Sequence, residues 1–136
     1  MKNRVGNRKK TDRGAQVPPD LSWYADAADN QKRLSHITGL CERIAREFRP
    51  ERIILFGSQA TGKSTPDSDI DLLVVMPYTG SPLGKVAEIL RRLRVWMPVD
   101  LLVSSAEDLE RRLGQGDRLI QAALKDGKVM YEAADR

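Results

Sequence analysis

Two aspartates separated by one residue are the first sign of chemistry in this sequence. Asp69 and Asp71 stand at the start of an apolar run that is typical of a buried strand. Because side chains alternate along a strand, the two carboxylates project from one face and repel each other. Mg²⁺ prefers oxygen ligands and is commonly held by one or two carboxylates together with substrate phosphates, so such a cation would relieve the repulsion.

Two neighbouring features favour this metal interpretation over a pair of solvated turn residues. Asp100 begins another apolar run, and it would add a third carboxylate if its strand lay beside the first. Gly57 and Ser58 lie in a loop that can present backbone N–H groups and a hydroxyl to phosphate. Three carboxylates beside such a loop form a ligand set for two metal ions that activate a hydroxyl and stabilise a leaving pyrophosphate.

The same loop also matches the pattern of a P-loop. Residues 57–64 read G-S-Q-A-T-G-K-S, which satisfies G-x-x-x-x-G-K-[ST] after a buried strand. A P-loop, however, needs a long helix that begins at its lysine and directs N–H groups at phosphate. Here Lys63 is soon followed by Pro66 and by the next strand. Only about 70 residues remain after the loop, which is little for several further βα units of roughly 30 residues each. The P-loop interpretation is therefore not favoured.

Alternating strand and helix patterns position these residues and predict an α/β domain. The predicted strands cover residues 52–56, 69–76, 99–103 and 128–132. Helical segments are predicted from Asp20 to Pro50, from Ser81-Pro82, from Ser104 with Glu107 as a capping box, and from Asp117 to a C-cap at Gly127. The predicted apolar faces are Leu34, Ile37, Cys41, Ile44 and Phe48 on the first long helix and Leu83, Val86, Leu90 and Leu93 on the next.

Length, charge distribution and the cysteine and histidine counts limit the classes of protein to which the chain can belong. The 136 residues fit one domain, predicted as a flexible basic leader over residues 1–19 followed by the domain over residues 20–136. The formal net charge of +4 comes from the first residues, which hold six basic groups and one acid up to Arg13, so the remainder is close to neutral. This leader has no interleaved aromatic residues, and nucleic-acid binding is not favoured.

One cysteine and one histidine exclude a disulfide-stapled domain and the usual zinc sites. No apolar run reaches the ~18 residues of a membrane span.

The motifs together resemble those of the polymerase-beta-like nucleotidyltransferase superfamily. The chain carries L-F-G-S-Q-A-T-G at residues 55–62, P-D-S-D-I-D-L-L-V at 66–74 and V-D-L at 99–101. Its ending K-D-G-K-V-M-Y at residues 125–131 is similar to the C-terminal strand of the minimal nucleotidyltransferases of that superfamily. The resemblance covers residues 30–132 and implies an α/β fold with a small mixed sheet flanked by helices.

The resemblance also implies the roles of the site residues. Gly57 and Ser58 would anchor the triphosphate of ATP, and Asp69 and Asp71 would bind two Mg²⁺ ions. Asp100 would help to bind metal and would accept the proton of the attacking hydroxyl. Many relatives carry arginine where this chain has Gln59 and Thr61, so a cation near the phosphates is lost, and Lys63 is a candidate to replace it.

Minimal nucleotidyltransferases are often antitoxins paired with a HEPN-domain ribonuclease toxin. The resemblance therefore implies a cytoplasmic protein that transfers AMP from ATP to a tyrosine hydroxyl of such a toxin in a hetero-oligomer. Two alternatives stay open at this stage. The chain could be an antitoxin that neutralises its partner by binding alone, or it could modify a small molecule of the aminoglycoside type, which would need an acceptor pocket from elsewhere.

Overall fold

A computed structural model of the chain describes residues 29–62, 69–95 and 97–134. The helices are α1 (Asn30–Phe48), α2 (Ser58–Thr61), α3 (Pro82–Leu93), α4 (Ala106–Gly114) and α5 (Arg118–Asp126). The strands are β1 (Arg52–Phe56), β2 (Ile70–Val75), β3 (Val99–Ser104) and β4 (Lys128–Glu132). The predicted leader, the predicted helix start at Asp20, and Lys63 lie outside the described residues.

The strands form one mixed sheet in the order β3-β2-β1-β4. β1 pairs in antiparallel fashion with both β2 and β4, whereas β2 and β3 are parallel. The parallel pair requires a crossover, and α3 supplies it between β2 and β3. The antiparallel pairing of β1 and β2 agrees with the rejection of a P-loop, which occurs in a parallel βαβ unit.

Helices cover both faces of the sheet, because alternate residues of the central strands are apolar on each side. On one face, α1 and α3 pack against residues that include Ile53, Leu72 and Val103. On the other face, α4 and α5 pack against residues that include Ile54 and Leu73. The predicted fold class, an α/β domain with a small mixed sheet flanked by helices, is confirmed.

Side-chain caps fix where the helices begin. The predicted start of α3 at Ser81-Pro82 is confirmed, since the Ser81 hydroxyl accepts a hydrogen bond from the Gly84 N–H at 3.0 Å. The predicted capping box of Ser104 and Glu107 is wrong by one residue. The cap of α4 is Ser105, whose hydroxyl accepts from the Asp108 N–H at 3.1 Å, while Ser104 is buried at the end of β3.

The apolar faces of the helices are shifted from those predicted. Leu34 is 38% exposed and Leu83 is 79% exposed, so neither belongs to the core. Leu40 and Ile89 are fully buried instead. The periodicity rule found the right stripe in the middle of each helix but extended it into the N-terminal parts of both helices, where Leu34 and Leu83 are exposed.

Gly127 ends α5 as predicted, but for a reason other than the usual left-handed cap. Its φ is −75°, which any residue adopts. A Cβ atom at this position would collide with the Ala123 carbonyl oxygen and would lie 2.6 Å from Ile54 Cγ2. Glycine therefore permits the last turn of α5 to approach β1 closely.

We expect Gly127→Ala to lower the free energy of unfolding by about 1–3 kcal/mol, because the added methyl overpacks the contact between α5 and β1. Chemical denaturation measures this difference. Gly39→Ala is the matched control, since Gly39 lies inside α1 with no atom within 4 Å of the added Cβ. That control is expected to gain up to about 1 kcal/mol from helix propensity. Equal effects of the two substitutions would contradict the close approach.

Candidate active site

The parallel pairing of β2 with β3 places two of the candidate carboxylates side by side. Asp71 is the direct register partner of Asp100, and neighbouring strands are about 4.8 Å apart. Alternation puts both on the sheet face of Leu73 and Leu102, which is the face that α4 and α5 cover further along the strands. The condition on which the sequence prediction depended, that the strand of Asp100 lies beside that of Asp71, is met.

Asp69 directly precedes β2, two residues before Asp71. The intervening Ile70 is fully buried in the core on the opposite face, so alternation directs Asp69 towards the same side as Asp71. Asp69 and Asp100 are exposed and Asp71 is half-buried. The three acids thus stand at the beginnings of two adjacent strands, with Asp71 deepest.

The loop that follows β1 lies next to these acids, on the side of β2 that faces β1 and not β3. Phe56 pairs with Asp71 across the antiparallel ladder, and Gly57 follows it with φ 75° and ψ −154°. This conformation is essentially restricted to glycine. A Cβ at Gly57 would also collide with Asp71 Oδ2. The loop backbone consequently lies against the central carboxylate, and Ser58 begins α2 directly after it.

Gln59 and Thr61 both contact backbone atoms of this loop region. The Gln59 side-chain amide donates to the Asp69 carbonyl oxygen at 3.5 Å, and the Thr61 hydroxyl donates to the Gly57 carbonyl oxygen at 3.4 Å. Gln59 therefore connects the turn of α2 to the chain at Asp69. The sequence indicated only the loss of a cation near the phosphates and contained no signal of these contacts.

The carboxylates act on one another electrostatically. Burial, followed by the negative charges of Asp100 and Asp69, raises the pKa of the Asp71 carboxyl above its usual range. Within the described residues, no three His, Cys, Asp or Glu side chains form a ready-made metal-binding group. The donor set nevertheless fits Mg²⁺ chemically, because it consists of carboxylates that disfavour one another's charge and lie beside a loop able to bind phosphate.

The raised pKa predicts that Asp71 destabilises the folded chain at neutral pH. A group whose pKa is raised by folding contributes stability only while it is protonated, and that contribution is lost as the pH rises through the raised pKa. We therefore expect Asp71→Asn to raise the melting temperature at pH 7 in the presence of a chelator, with the gain disappearing at acid pH. Thermal unfolding monitored by circular dichroism measures it.

Glu110→Gln is the control for the loss of one negative charge, because Glu110 is exposed on α4. We expect this change to leave the melting temperature almost unaltered at every pH. If both variants shifted the melting temperature equally, net charge would account for the effect, and repulsion among the three acids would not.

Comparison with known proteins agrees with this arrangement. The family model of the nucleotidyltransferase domain matches residues 37–130, a range that contains the Gly57 loop and all three acids. The chain belongs to the nucleotidyltransferase domain family, and the domain is that of a transferase. This confirms the resemblance at the level of the family.

Two solved structures illustrate the likeness. A candidate nucleotidyltransferase from Sulfolobus solfataricus is 19% identical, with a TM-score of 0.56 over 85% of this chain and 93% of that chain. A chain from a toxin-antitoxin structure with AMP-PNP is 22% identical, with a TM-score of 0.48 over 71% of this chain and 74% of that chain. The first likeness shows a shared fold. No curated protein gives a significant match.

A search of the described residues finds no helix of the length and apolar character needed to cross a membrane.

Cys41 lies in the core outside the candidate site. Its side chain is buried, and burial together with the charge of Glu42 raises the pKa of its thiol to about 12. A thiol with this pKa is protonated at neutral pH and is a poor nucleophile. Cys41 is therefore not a candidate nucleophile.

Proposed function

We propose that this chain is a Mg²⁺-dependent, cytoplasmic nucleotidyltransferase that transfers AMP from ATP to a hydroxyl group of a partner protein. The observation that carries the proposal is the register of Asp71 beside Asp100 with Gly57 packed against Asp71. A phosphate-binding loop and a carboxylate set meet there within one small region, as phosphoryl chemistry requires.

Each residue has a role in this reaction. The backbone at Gly57 and the hydroxyl of Ser58 hold the triphosphate, with Lys63 as an additional cation in the same loop. Asp69, Asp71 and Asp100 are the residues that would hold Mg²⁺, and the bound metal would supply positive charge that stabilises the phosphates. Asp100 accepts the proton when the acceptor oxygen forms its bond to the α-phosphorus and pyrophosphate leaves.

The position of Asp100 favours an acceptor that arrives from outside the chain. Within the sheet of the described residues, β3 is an edge strand, and Asp100 is exposed on it. The proton acceptor is therefore accessible to a second molecule, whereas Asp71 lies deeper against the Gly57 loop. Resemblance to the minimal nucleotidyltransferases supports a tyrosine of a HEPN ribonuclease toxin as the acceptor, with this chain acting as its antitoxin.

Intact mass spectrometry tests the proposal directly. The full chain is incubated with ATP, Mg²⁺ and a candidate HEPN-type toxin, and we expect the toxin to gain the mass of one or more AMP groups. Peptide mapping then locates the modified hydroxyl. An unmodified toxin that still forms a complex with this chain would contradict transfer and would favour an antitoxin that acts by binding alone.

A further inference from the structure

β3 forms one edge of the sheet and carries Asp100, the proton acceptor of the proposed reaction. No strand of the described part of the chain pairs with the outer side of β3. Such an edge presents backbone N–H and C=O groups to which another strand can add. Because Asp100 is exposed on this edge, a molecule that approaches it also meets an unpaired strand.

The hydrogen bonds to β2 determine which residues of β3 face outward. The Pro98 carbonyl accepts from the Ile70 N–H, and the Ser104 carbonyl accepts from the Met76 N–H, both at 2.9 Å. Backbone groups of successive residues point to alternate sides of a strand, so the even-numbered residues between Pro98 and Ser104 also face β2. The residues whose backbone groups point away from β2 are Val99, Leu101 and Val103.

An antiparallel strand on this edge would place one of its residues directly beside Asp100. Its hydrogen-bonded pairs would form with Val99 and Leu101, and Asp100 between them would occupy a non-hydrogen-bonded position. At such positions facing Cα atoms are about 4.5 Å apart and the side chains, which share a face, are closest. The facing residue would therefore continue the row formed by Asp71 and Asp100 on the face that carries the acids.

The two edges of the sheet differ in how well they suit an added strand. The pairing of β1 with β4 is interrupted by a register shift, and β4 has exposed Lys128 and Glu132 at its ends. Bulges and charged residues discourage strand addition. β3 pairs with β2 in one continuous register, and Asp100 is its only charged residue. The edge beside the acids is thus the regular and less protected one.

We infer that the acceptor segment of the partner protein binds as an extended strand, antiparallel to β3, with its hydroxyl-bearing residue opposite Asp100. The inference rests on the proposed function, because Asp100 is the group that takes the proton of that hydroxyl. The acceptor oxygen bonds to the α-phosphorus of ATP, its proton passes to Asp100, and pyrophosphate leaves. Backbone pairing with Val99 and Leu101 positions the acceptor for this step.

Leu102 gives this mode of binding a sequence preference. Its side chain lies on the same face as Asp100 and is half-buried against the cluster beneath α4. In the antiparallel pair, the residue opposite Leu102 is two positions before the hydroxyl-bearing residue. An apolar side chain there covers the remaining surface of Leu102, so the acceptor segment has an apolar residue, any residue and the hydroxyl-bearing residue in that order.

Amide hydrogen exchange of the full-length chain, followed by NMR, tests whether the edge is open. In the free chain, we expect the outward amides of Val99 and Leu101 to exchange roughly tenfold or more faster than the inward amides of Asp100 and Leu102. Equal protection of the two sets would mean that residues 1–28 or a second copy already pairs with β3. That result would overturn the inference.

A nine-residue peptide is the probe for strand addition. It has one tyrosine at its centre, a leucine two positions earlier and no other hydroxyl group. With Mg²⁺ and ATP we expect AMP on the tyrosine; with a non-hydrolysable ATP analogue we expect protection of the Val99 and Leu101 amides. N-methylation directly before the tyrosine removes the N–H that faces Leu101 and should lower kcat/KM roughly tenfold. N-methylation of the leucine, whose N–H faces away from β3, is the matched control.

Replacing Leu102 tests the register. We expect the leucine peptide to exceed an alanine peptide up to roughly fivefold in kcat/KM, as for other cross-strand apolar pairs. Leu102→Ala should abolish this preference. Leu113→Ala is the matched control, because Leu113 is a half-buried leucine of the same cluster on α4, and it should keep the preference. Moving the peptide's leucine to two positions after the tyrosine should also abolish it, since that spacing fits only a parallel strand.

The outcomes distinguish this inference from the proposed function. Protection of the outward amides without AMP on the peptide would support strand addition and would contradict transfer. AMP on the peptide without protection of those amides would overturn strand addition and leave transfer standing, as would equal effects of the two N-methyl groups. A peptide that is neither bound nor modified at near-millimolar concentration, while a candidate HEPN-type toxin is modified, would likewise overturn strand addition.

Discussion

Replacing Asp69 and Asp71 together by asparagine is expected to reduce nucleotidyl transfer by about 10³-fold or more, because the carboxylate donors for divalent metal are lost. Asparagine has nearly the same volume as aspartate, so we expect the start of β2 to keep its conformation and its packing against the core. The expected rise in stability of Asp71→Asn makes the test sharper, since inactivity in a chain that melts at a higher temperature cannot be assigned to unfolding.

The measurement is the initial rate of AMP transfer to the partner protein at saturating Mg²⁺ and ATP. Isothermal titration of Mg²⁺ into the metal-free chain provides a second readout, and we expect the double variant to lose the binding heat. Glu107→Gln together with Glu110→Gln removes two charges from exposed positions of α4 and serves as the control. Transfer at the wild-type rate by the Asp69 and Asp71 double variant would remove these acids from the mechanism.

The sequence was a good guide to the strands and to the order in which they occur. The runs at residues 52–56 and 128–132 match the observed strands, and the other two agree within one residue at both ends. Short apolar runs bounded by Gly, Pro and Asp are typical of buried strands, because they are too short for most helices. The spacing of Asp69 and Asp71 on one strand already fixed that they share a face.

Strand order and register could not be read from the sequence. That Asp71 pairs with Asp100 depends on the crossover through α3 and on the core residues of two helices, which are distant in sequence. The prediction was therefore conditional on β3 lying beside β2. Helix termini show the same limit: either Ser104 or Ser105 could cap α4, and the burial of Ser104 in the sheet selects Ser105.

The sequence identified the Gly57 loop by its motif, but the reason for the glycine appeared only in three dimensions. A motif indicates that phosphate binds nearby, whereas the structure adds two separate demands on residue 57. The backbone takes φ 75° and ψ −154°, and the space that a side chain would need is filled by Asp71 Oδ2. The same residue consequently determines the loop conformation and the position of a carboxylate.

Gly57→Ala should therefore lower activity more than Gly39→Ala, Gly80→Ala or Gly127→Ala. The strained backbone conformation is expected to cost about 1–3 kcal/mol of stability. The added methyl must also displace the Asp71 carboxylate, and a misplacement of about 1 Å in a catalytic group can cost 10²-fold in rate. We expect kcat/KM for AMP transfer to fall by about 10²-fold in a chain that remains folded at low temperature.

Gly80→Ala separates these two effects. Gly80 also has a positive φ, of 78°, but no atom lies within 4 Å of an added Cβ, and the residue lies between β2 and α3, away from the three acids. Its replacement should cost about 1 kcal/mol of stability with little change in kcat/KM. If the two alanine variants lost stability and activity in the same proportion, backbone strain alone would explain both. A loss of kcat/KM confined to Gly57→Ala, accompanied by weaker Mg²⁺ binding in titration, would instead assign the effect to the contact between Gly57 and Asp71.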